Sequence, residues 1–494
     1  MKKKVKIIGA GLGALSAAII LSAQGYDVQV FEKNEQPGGK MNERKAAGFR
    51  WDTGPSLLTM SFVLSMLQQE AGVELKMHNL SIEPLTVSCR YFFPDGSCLD
   101  FESDPQIMSE KIEDFAPGEG KSFQRFASYS AKIYRHAAPL FLFTPFQELR
   151  YLLKPEHVLH FLHVFSVDPL RTMRQAIESF FRDKRLRDLF SRYATYNGSN
   201  PFFAPATLNI ISHVENALGG FYIRNGMYRL IDHLSDIAYQ MGVQFHLGQT
   251  VSKILHHDKK IKGIRVDSEN LDADIVISNM DFMETHSRLL GSVPSRYNTL
   301  EPSLSGLVFL WGIKGIHHQL EHHNIFFPER YEDEFNDIFD RKIAPRQPTI
   351  YIAITSRKDR HHAPEGMENW FVLLNMPYLE EHQQWDEWIA RSRSYVIDKL
   401  HSLVGLNASD IIIEETFNPQ DFYNRYFSWK GSIYGLSSNH WKSAFLRPPN
   451  RSREFENLYF AGGSVHPGGG IPLTILSGIM TSRLILDTDK KQRR

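Results

Sequence analysis

The stretch Val5-Lys6-Ile7-Ile8-Gly9-Ala10-Gly11-Leu12-Gly13-Ala14 decides the fold. Its opening β-branched run reads as a strand, and the glycines that follow read as a turn. Beyond them Leu15, Ala18, Ile19 and Ser22 repeat with helical spacing, Gly25 closes the helix, and Val28-Gln29-Val30-Phe31 forms a second strand ending at Glu32. Strand, glycine turn, helix and strand in so short a span make a βαβ unit. The pattern Gly9-x-Gly11-x-x-Ala14 has a physical rationale: Gly9 permits a tight bend, Gly11 lets the backbone approach a pyrophosphate, and small Ala14 lets the helix lie close to the strand. The turn runs through Leu12 and Gly13 into a helix start, whose unpaired N–H groups and roughly half a positive charge favour a diphosphate. Glu32 stands where a ribose diol would need an acceptor, or it caps the strand in solvent.

NAD and FAD use the same turn, so it does not choose between them. The next segments, Pro37-Gly38-Gly39-Lys40 and Trp51-Asp52-Thr53-Gly54-Pro55, are too irregular for the helices of a nicotinamide domain. At the far end Asn457-Leu458-Tyr459-Phe460-Ala461-Gly462-Gly463-Ser464-Val465-His466-Pro467-Gly468-Gly469-Gly470-Ile471-Pro472 is a strand entering a glycine turn, followed by a helix over 473–486. It predicts a second helix N-terminus aimed at the cofactor, with Pro472 suited to the first turn.

Working outward, the 494 residues carry 56 Lys+Arg against 56 Asp+Glu, and this zero net charge leaves no electrostatic footprint for nucleic acid. The length suits two or three lobes. Lys2-Lys3-Lys4 before an apolar stretch imitates a secretory signal, but Lys6 and the early glycines break its core. No apolar run is long enough to span a bilayer. Cys89 and Cys98 flank the turn Pro94-Asp95-Gly96, which places Cys98 opposite Phe93, so no disulfide is expected and a reducing cytoplasm is the default. Residues 60–101 read as short strands and hairpins, 104–213 as helices, and strands return near 243–247, 251–255 and 275–279.

The segments Glu32-Lys33, Pro37-Gly38-Gly39-Lys40, Asp52-Thr53-Gly54-Pro55 and Gly462 to Pro472 resemble the FAD fingerprint of the amine-oxidase and phytoene-desaturase superfamily, and the C-terminal block resembles bacterial carotenoid desaturases. Further counterparts in family order are Pro117-Gly118-Glu119-Gly120, Arg224-Asn225-Gly226-Met227 and Gly431-Ser432-Ile433-Tyr434-Gly435. Lys40 departs from the family's arginine and loses the bidentate fork. Asn225 replaces a glycine, but asparagine tolerates left-handed angles.

The resemblance implies an α/β fold: a Rossmann-like FAD-binding domain assembled from residues 1–75, 224–290 and 452–494, an inserted mixed α/β substrate domain (76–134 and 291–451), and a helical, membrane-facing part (135–223). Non-covalent FAD would be held by Gly9, Gly11, Leu12, Gly13, Ala14, Glu32, Lys33, Gly38, Gly39, Lys40, Asp52, Thr53, Gly54, Pro55, Val251, Gly462, Gly463, His466, Gly470, Ile471 and Pro472. No cysteine lies near the C-terminal turn for a covalent flavin.

Within the family, Arg192 to Pro201 resembles members that desaturate 1-hydroxylated carotenoids at the 3,4 bond. Tyr193, Thr195, Asn197 and Tyr434 are the expected substrate contacts, and Glu215 and Tyr196 the first groups to test in catalysis. The alternatives are a phytoene or diapophytoene desaturase, a polyene isomerase, a flavin amine oxidase, and a prenyl-binding protein without redox chemistry. His317, His318, His322 and His323 have helix-face spacing but no H-E-x-x-H acid, and read as a solvated or loop segment rather than a metal site; His361-His362 and His256-His257 read as surface turns. The aromatic stretch from Pro139 through Leu159, Phe161, Leu162, Val164 and Phe165 is too broken to span a bilayer but suits its interface. The expected partners are therefore a carotenoid drawn from lipid, oxygen or a quinone as electron acceptor, and the inner face of the cytoplasmic membrane.

Overall fold

The computed structural model describes residues 2–152, 167–297, 299–440, 443, 445 and 447–492. Five parallel strands form its first sheet, in the order Gln244–His246, Asp27–Phe31, Lys4–Ile8, Ile275–Ser278 and Leu458–Phe460. Pieces more than 400 residues apart in the chain thus meet in one sheet, with Val5 facing Ile275 and Val276 facing Leu458. The central strands read as apolar runs because both faces are covered: Val5, Ile7, Val28 and Val30 pack under helices, and Ile8, Phe31, Val276 and Leu458 under the antiparallel strands Val251–His257 and Lys260–Val266.

The helix Leu12–Ala23 is buried along nearly its whole length, packed between the sheet, the helix Arg229–Gln240 and the last helix, Ile471–Gln492. That last crossing depends on glycine: a Cβ at Gly478 would stand 2.4 Å from Gly13 O, and one at Gly13 would stand 3.0 Å from Gly462 N. The small residues expected to admit a cofactor therefore also let two helices touch.

A second, seven-stranded sheet runs in the order Ile411–Phe417, Ser305–Lys314, Met367–Met376, Ile350–Ala353, His323–Phe326, Val87–Phe92 and Cys98–Glu102. Its period of two assigns each side chain to a face. Leu307, Phe309, Trp311, Trp370, Val372 and Leu374 pack with Val396 and Leu400 of the helix Trp385–Val404. Val308, Phe371, Leu373 and Tyr351, on the opposite face, look into a cavity. At the hairpin edge Cys98 pairs with Phe92 rather than Phe93, because Pro94-Asp95-Gly96 makes a three-residue loop with Gly96 at φ 81°. Both cysteines are free.

Two further expectations are corrected. His322 and His323 lie buried at and within the strand His323–Phe326, not in a solvated segment, and His362 is buried while His361 is exposed. The last helix begins at Ile471, with Pro472 in its first turn, and runs to Gln492, past 486. Of the aromatic stretch, Phe141 and Leu142 form cavity wall, whereas Leu159, Phe161, Leu162, Val164 and Phe165 lie outside the described residues. Among the described residues, no helix is long and apolar enough to cross a membrane.

Candidate active site

The two glycine turns face each other across the carboxyl ends of the parallel strands, where open α/β sheets bind their ligands. Gly38 N donates to Ala10 O (2.9 Å), and this bridge lays the Pro37–Lys40 segment along the first turn. Asn279, at the end of the Ile275–Ser278 strand, ties both turns together: its Oδ1 accepts from Gly11 N (2.9 Å) and its Nδ2 donates to Ala461 O (2.6 Å). No motif announces Asn279, since its role exists only once three strands lie side by side.

A cavity of about 540 Å³ opens from these turns, within the range of ligand sites. Gly11, Leu12, Gly38, Gly39, Lys40, Thr53, Gly54 and Pro55 line it from the amino-terminal segments, and Gly463, His466, Gly470, Ile471 and Pro472 from the carboxy-terminal turn. Gly9 (φ 90°), Gly13, Ala14 and Gly462 lie just behind, shaping the turns. A larger cleft of about 700 Å³, bordered by Lys45, Arg50, Arg229 and Asp232, touches neither glycine turn and lies apart from this site.

Other expected cofactor contacts sit differently. Glu32 is buried, with Oε2 accepting from Ala10 N (2.9 Å) and Oε1 from Asn34 N (2.9 Å), so its carboxylate braces the first turn rather than capping the strand in solvent. Lys33 donates to Asn424 O (2.7 Å). Asp52 accepts from Met227 N and Tyr228 N (both 3.1 Å) and pairs with Arg50, fixing the start of the Arg229–Gln240 helix. Val251 opens a separate three-stranded sheet. None of these four lines the cavity. Lys40 does, but its ammonium donates to Ser432 O (3.1 Å) and Ile433 O (2.6 Å), committed to carbonyls rather than to a phosphate. Burial pulls its pKa down to about 8, opposed by Asp281, whose own carboxyl burial pushes up to about 6.

The turns fit a dinucleotide. The helix Leu12–Ala23 has no side-chain cap, so its first N–H groups remain open to an anion, and a Cβ at Gly470 would meet nothing within 4 Å.

The substrate-side residues divide into two shells. Thr195, Tyr196, Asn197 and Tyr434 line the cavity; Tyr193 and Glu215 do not. Tyr193 is buried with its hydroxyl 2.9 Å from Asn216 Oδ1 and 3.2 Å from Glu215 Oε1. Tyr196 donates to Glu215 Oε2 (2.5 Å), and Arg192 stands 3.6 Å from Glu215 Oε1 while donating to Tyr91 (2.6 Å). Glu215 thus lies behind Tyr196 and Arg192 rather than on the cavity wall.

The seven-stranded sheet adds a group absent from the expectations. His323 lines the cavity; its Nδ1 lies 2.7 Å from the Tyr351 hydroxyl, which in turn meets the Ser56 hydroxyl next to Pro55. Its Nε2 is buried without a hydrogen-bond partner among the described residues. Burial holds its pKa well below the ordinary histidine value, so the ring is neutral. Cys89 lines the same wall, and burial pushes its thiol up, keeping it protonated. Among the described residues no group of three or more His, Cys, Asp or Glu is placed to hold a metal.

Fold and site together define a flavin-dependent oxidoreductase. Residues 15–486 match the family of flavin containing amine oxidoreductases, and the chain belongs to that family. It is 35% identical to a 1-hydroxycarotenoid 3,4-desaturase of Flavobacterium sp. (strain P99-3), over 99% of this chain and 100% of the relative. It is 33% identical to a 4,4'-diaponeurosporene oxygenase of Staphylococcus aureus (strain MSSA476), over 100% of both. Among solved structures, putrescine oxidase superposes with a TM-score of 0.64 at 13% identity, covering 99% of each chain. Cyclohexylamine oxidase from Brevibacterium oxydans IH-35A gives 0.62 at 16%, over 99% of this chain and 100% of that one. At such identities the structures share the fold. The chain is an FAD-dependent oxidoreductase related to carotenoid desaturases.

Proposed function

We propose that this chain desaturates an acyclic carotenoid, and that its specific reaction is 3,4-desaturation of a 1-hydroxylated substrate. The observation that carries this reading is the make-up of the cavity. Beyond the glycine turns much of its wall is apolar, from Phe141, Leu142, Ile211, Val214, Val308, Ile325, Phe371 and Leu373, set among polar groups that include Arg192, Tyr196, Asn197, His323 and Arg447. The apolar part of the wall suits a long hydrocarbon. In this reading residues 1–75, 224–290 and 452–494 hold the cofactor, and 76–134 with 291–451 hold the substrate together with the residues of 135–223 that line the cavity.

Gly11, Gly39, Gly463, Gly470, Ile471 and Pro472 would hold FAD, with Asn279 fixing the spacing of the turns. Bound FAD supplies the two-electron oxidant that accepts a hydride from one carbon of a single bond. The neighbouring carbon then loses a proton, and His323 Nε2 takes it. A weak base suffices, because a proton beside a developing allylic cation is strongly acidic; a neutral, buried imidazole is such a base. Tyr351 and Ser56 orient the ring. Tyr196, held by Glu215, orients the polyene end.

Burial of each CH₂ stabilises a hydrocarbon by about 0.8 kcal/mol, so a carotenoid does not cross water unaided. The enzyme accordingly takes it from the inner face of a cytoplasmic membrane, and oxygen or a quinone would serve as the final electron acceptor. The reading is tested by expression in hosts making acyclic carotenoids with and without 1-hydroxylation, followed by absorption spectra of the pigments. A red shift confined to the hydroxylated host is expected. Conversion of colourless phytoene would make this an early desaturase instead.

A further inference from the structure

Two buried arginines line the cavity, and among the described residues only one of them has a counter-charge. Arg192 stands 3.6 Å from Glu215. Arg447, 4% exposed, has no carboxylate in ion-pair range among the described residues. Its Nη2 donates to Asn197 Oδ1 (2.5 Å), with Leu436 O at 3.1 Å and Ser438 Oγ at 3.5 Å, and its Nη1 reaches Tyr434 O at 3.4 Å. The group has five N–H donors. Nε and one Nη1 hydrogen find no acceptor among the described residues. Buried charges are ordinarily paired, so a guanidinium with open donors facing a cavity points to a ligand that completes it.

Its position narrows the ligand. A Cβ at Gly468 would stand 3.3 Å from Arg447 Nε, so the guanidinium touches the carboxy-terminal glycine turn on one side and Asn197 on the other. In a 1-hydroxylated carotenoid the hydroxyl-bearing carbon lies two bonds from the 3,4 bond. Whatever reads that oxygen must therefore sit beside the turn that holds the flavin, as Arg447 does.

We propose that Arg447, presented by Asn197, binds the oxygen of the substrate's end group, hydroxyl or carbonyl, next to the reacting bond. This rests on the carotenoid reading above and adds the residue that discriminates within it. An oxygen lone pair accepts from the open donors; a hydrocarbon end leaves them unpaired in a dry pocket, and a site built this way rejects the analogue lacking the oxygen.

The test compares the purified flavoprotein with Arg447→Met and Arg447→Lys. FAD content, thermal midpoint, and equilibrium binding of a 1-hydroxylated acyclic carotenoid and its 1-deoxy counterpart from detergent micelles are measured for each. The wild type is expected to prefer the hydroxylated pigment at least about tenfold. Both variants are expected to lose most of that preference while retaining FAD, the lysine because its point charge lacks the fork. Either variant that retains flavin and the full preference overturns the assignment and makes Arg447 a structural staple between Asn197 and the glycine turn. A wild type that binds and converts neither pigment overturns the carotenoid reading itself, and the arginine assignment falls with it.

Discussion

His323 Nδ1 and the Tyr351 hydroxyl stand 2.7 Å apart on neighbouring antiparallel strands, and the same hydroxyl meets Ser56 beside Pro55. This chain of contacts connects the seven-stranded sheet's side of the cavity to the segment of residues 53–55 that lines it near the glycine turns. It leaves Nε2 as the ring's open atom. Replacing His323 with Asn should lower turnover about 100-fold, with FAD content unchanged. Tyr351→Phe, which frees the ring without removing it, should cost less. Single-turnover flavin reduction by substrate checks both; an undiminished rate in the asparagine variant would remove His323 from the chemistry.

Gly11 and Asn279 make a second test. A Cβ at Gly11 would fall 2.6 Å from Asn279 Oδ1, so Gly11→Val both blocks the pyrophosphate and pushes the turns apart. The variant should purify colourless. Asn279→Ala cuts the ties to Gly11 N and Ala461 O without adding bulk, and should weaken flavin retention less. Flavin absorbance per mole of protein after dialysis ranks the three chains, and a yellow Gly11→Val protein would mean that the cofactor lies elsewhere.

The sequence carries the cofactor turns and conceals the substrate wall for a physical reason. Gly9 to Ala14 and Gly462 to Pro472 are local: each turn's conformation is set by neighbours in the chain, so its glycines can be read directly. Asn279, His323 and Arg447 act across 268, 28 and 250 residues on Gly11, Tyr351 and Asn197, and a side chain whose meaning depends on such pairing has no signature of its own. Glu215 is visible in the sequence as an acid but not as one sealed behind Tyr196. The histidines at 322 and 323 stand in a polar run, yet the alternation of the strand turns His323 toward the cavity.

Glu215 and Arg192 should prove more important to stability than their distance from solvent suggests. Glu215→Leu leaves the guanidinium buried without its anion, which costs about 3–5 kcal/mol. Glu215→Gln retains an acceptor for Tyr196 and should cost less. Denaturant midpoints order the series as wild type, glutamine, leucine. Equal stability of the leucine variant would mean that the cation finds water or another partner, against the burial of both groups.

The pH dependence of stability should show two opposed windows. Burial holds His466, His286 and His362 at about 4 and His322 at about 3, below the ordinary 6.5. The unfolded chain therefore binds more protons at these sites between pH 6.5 and 4. Their stabilising contribution is complete above 6.5 and lost as pH falls through the folded values, at about 1.4 kcal/mol for each tenfold difference in proton affinity between the folded and unfolded chain. Glu334 has the opposite sign. Burial raises it from 4.5 to about 7, although Thr349 and Asn375 hydrogen-bond its oxygens. Its contribution is complete below 4.5 and declines as pH rises through 7. Glu334→Gln, which keeps an acceptor for Asn375 and cannot ionise, should flatten the decline between pH 4.5 and 7 while leaving the acid-side loss to the histidines. Thermal midpoints of the two proteins from pH 4 to 8 check this, and parallel curves would show that Glu334 ionises as freely folded as unfolded.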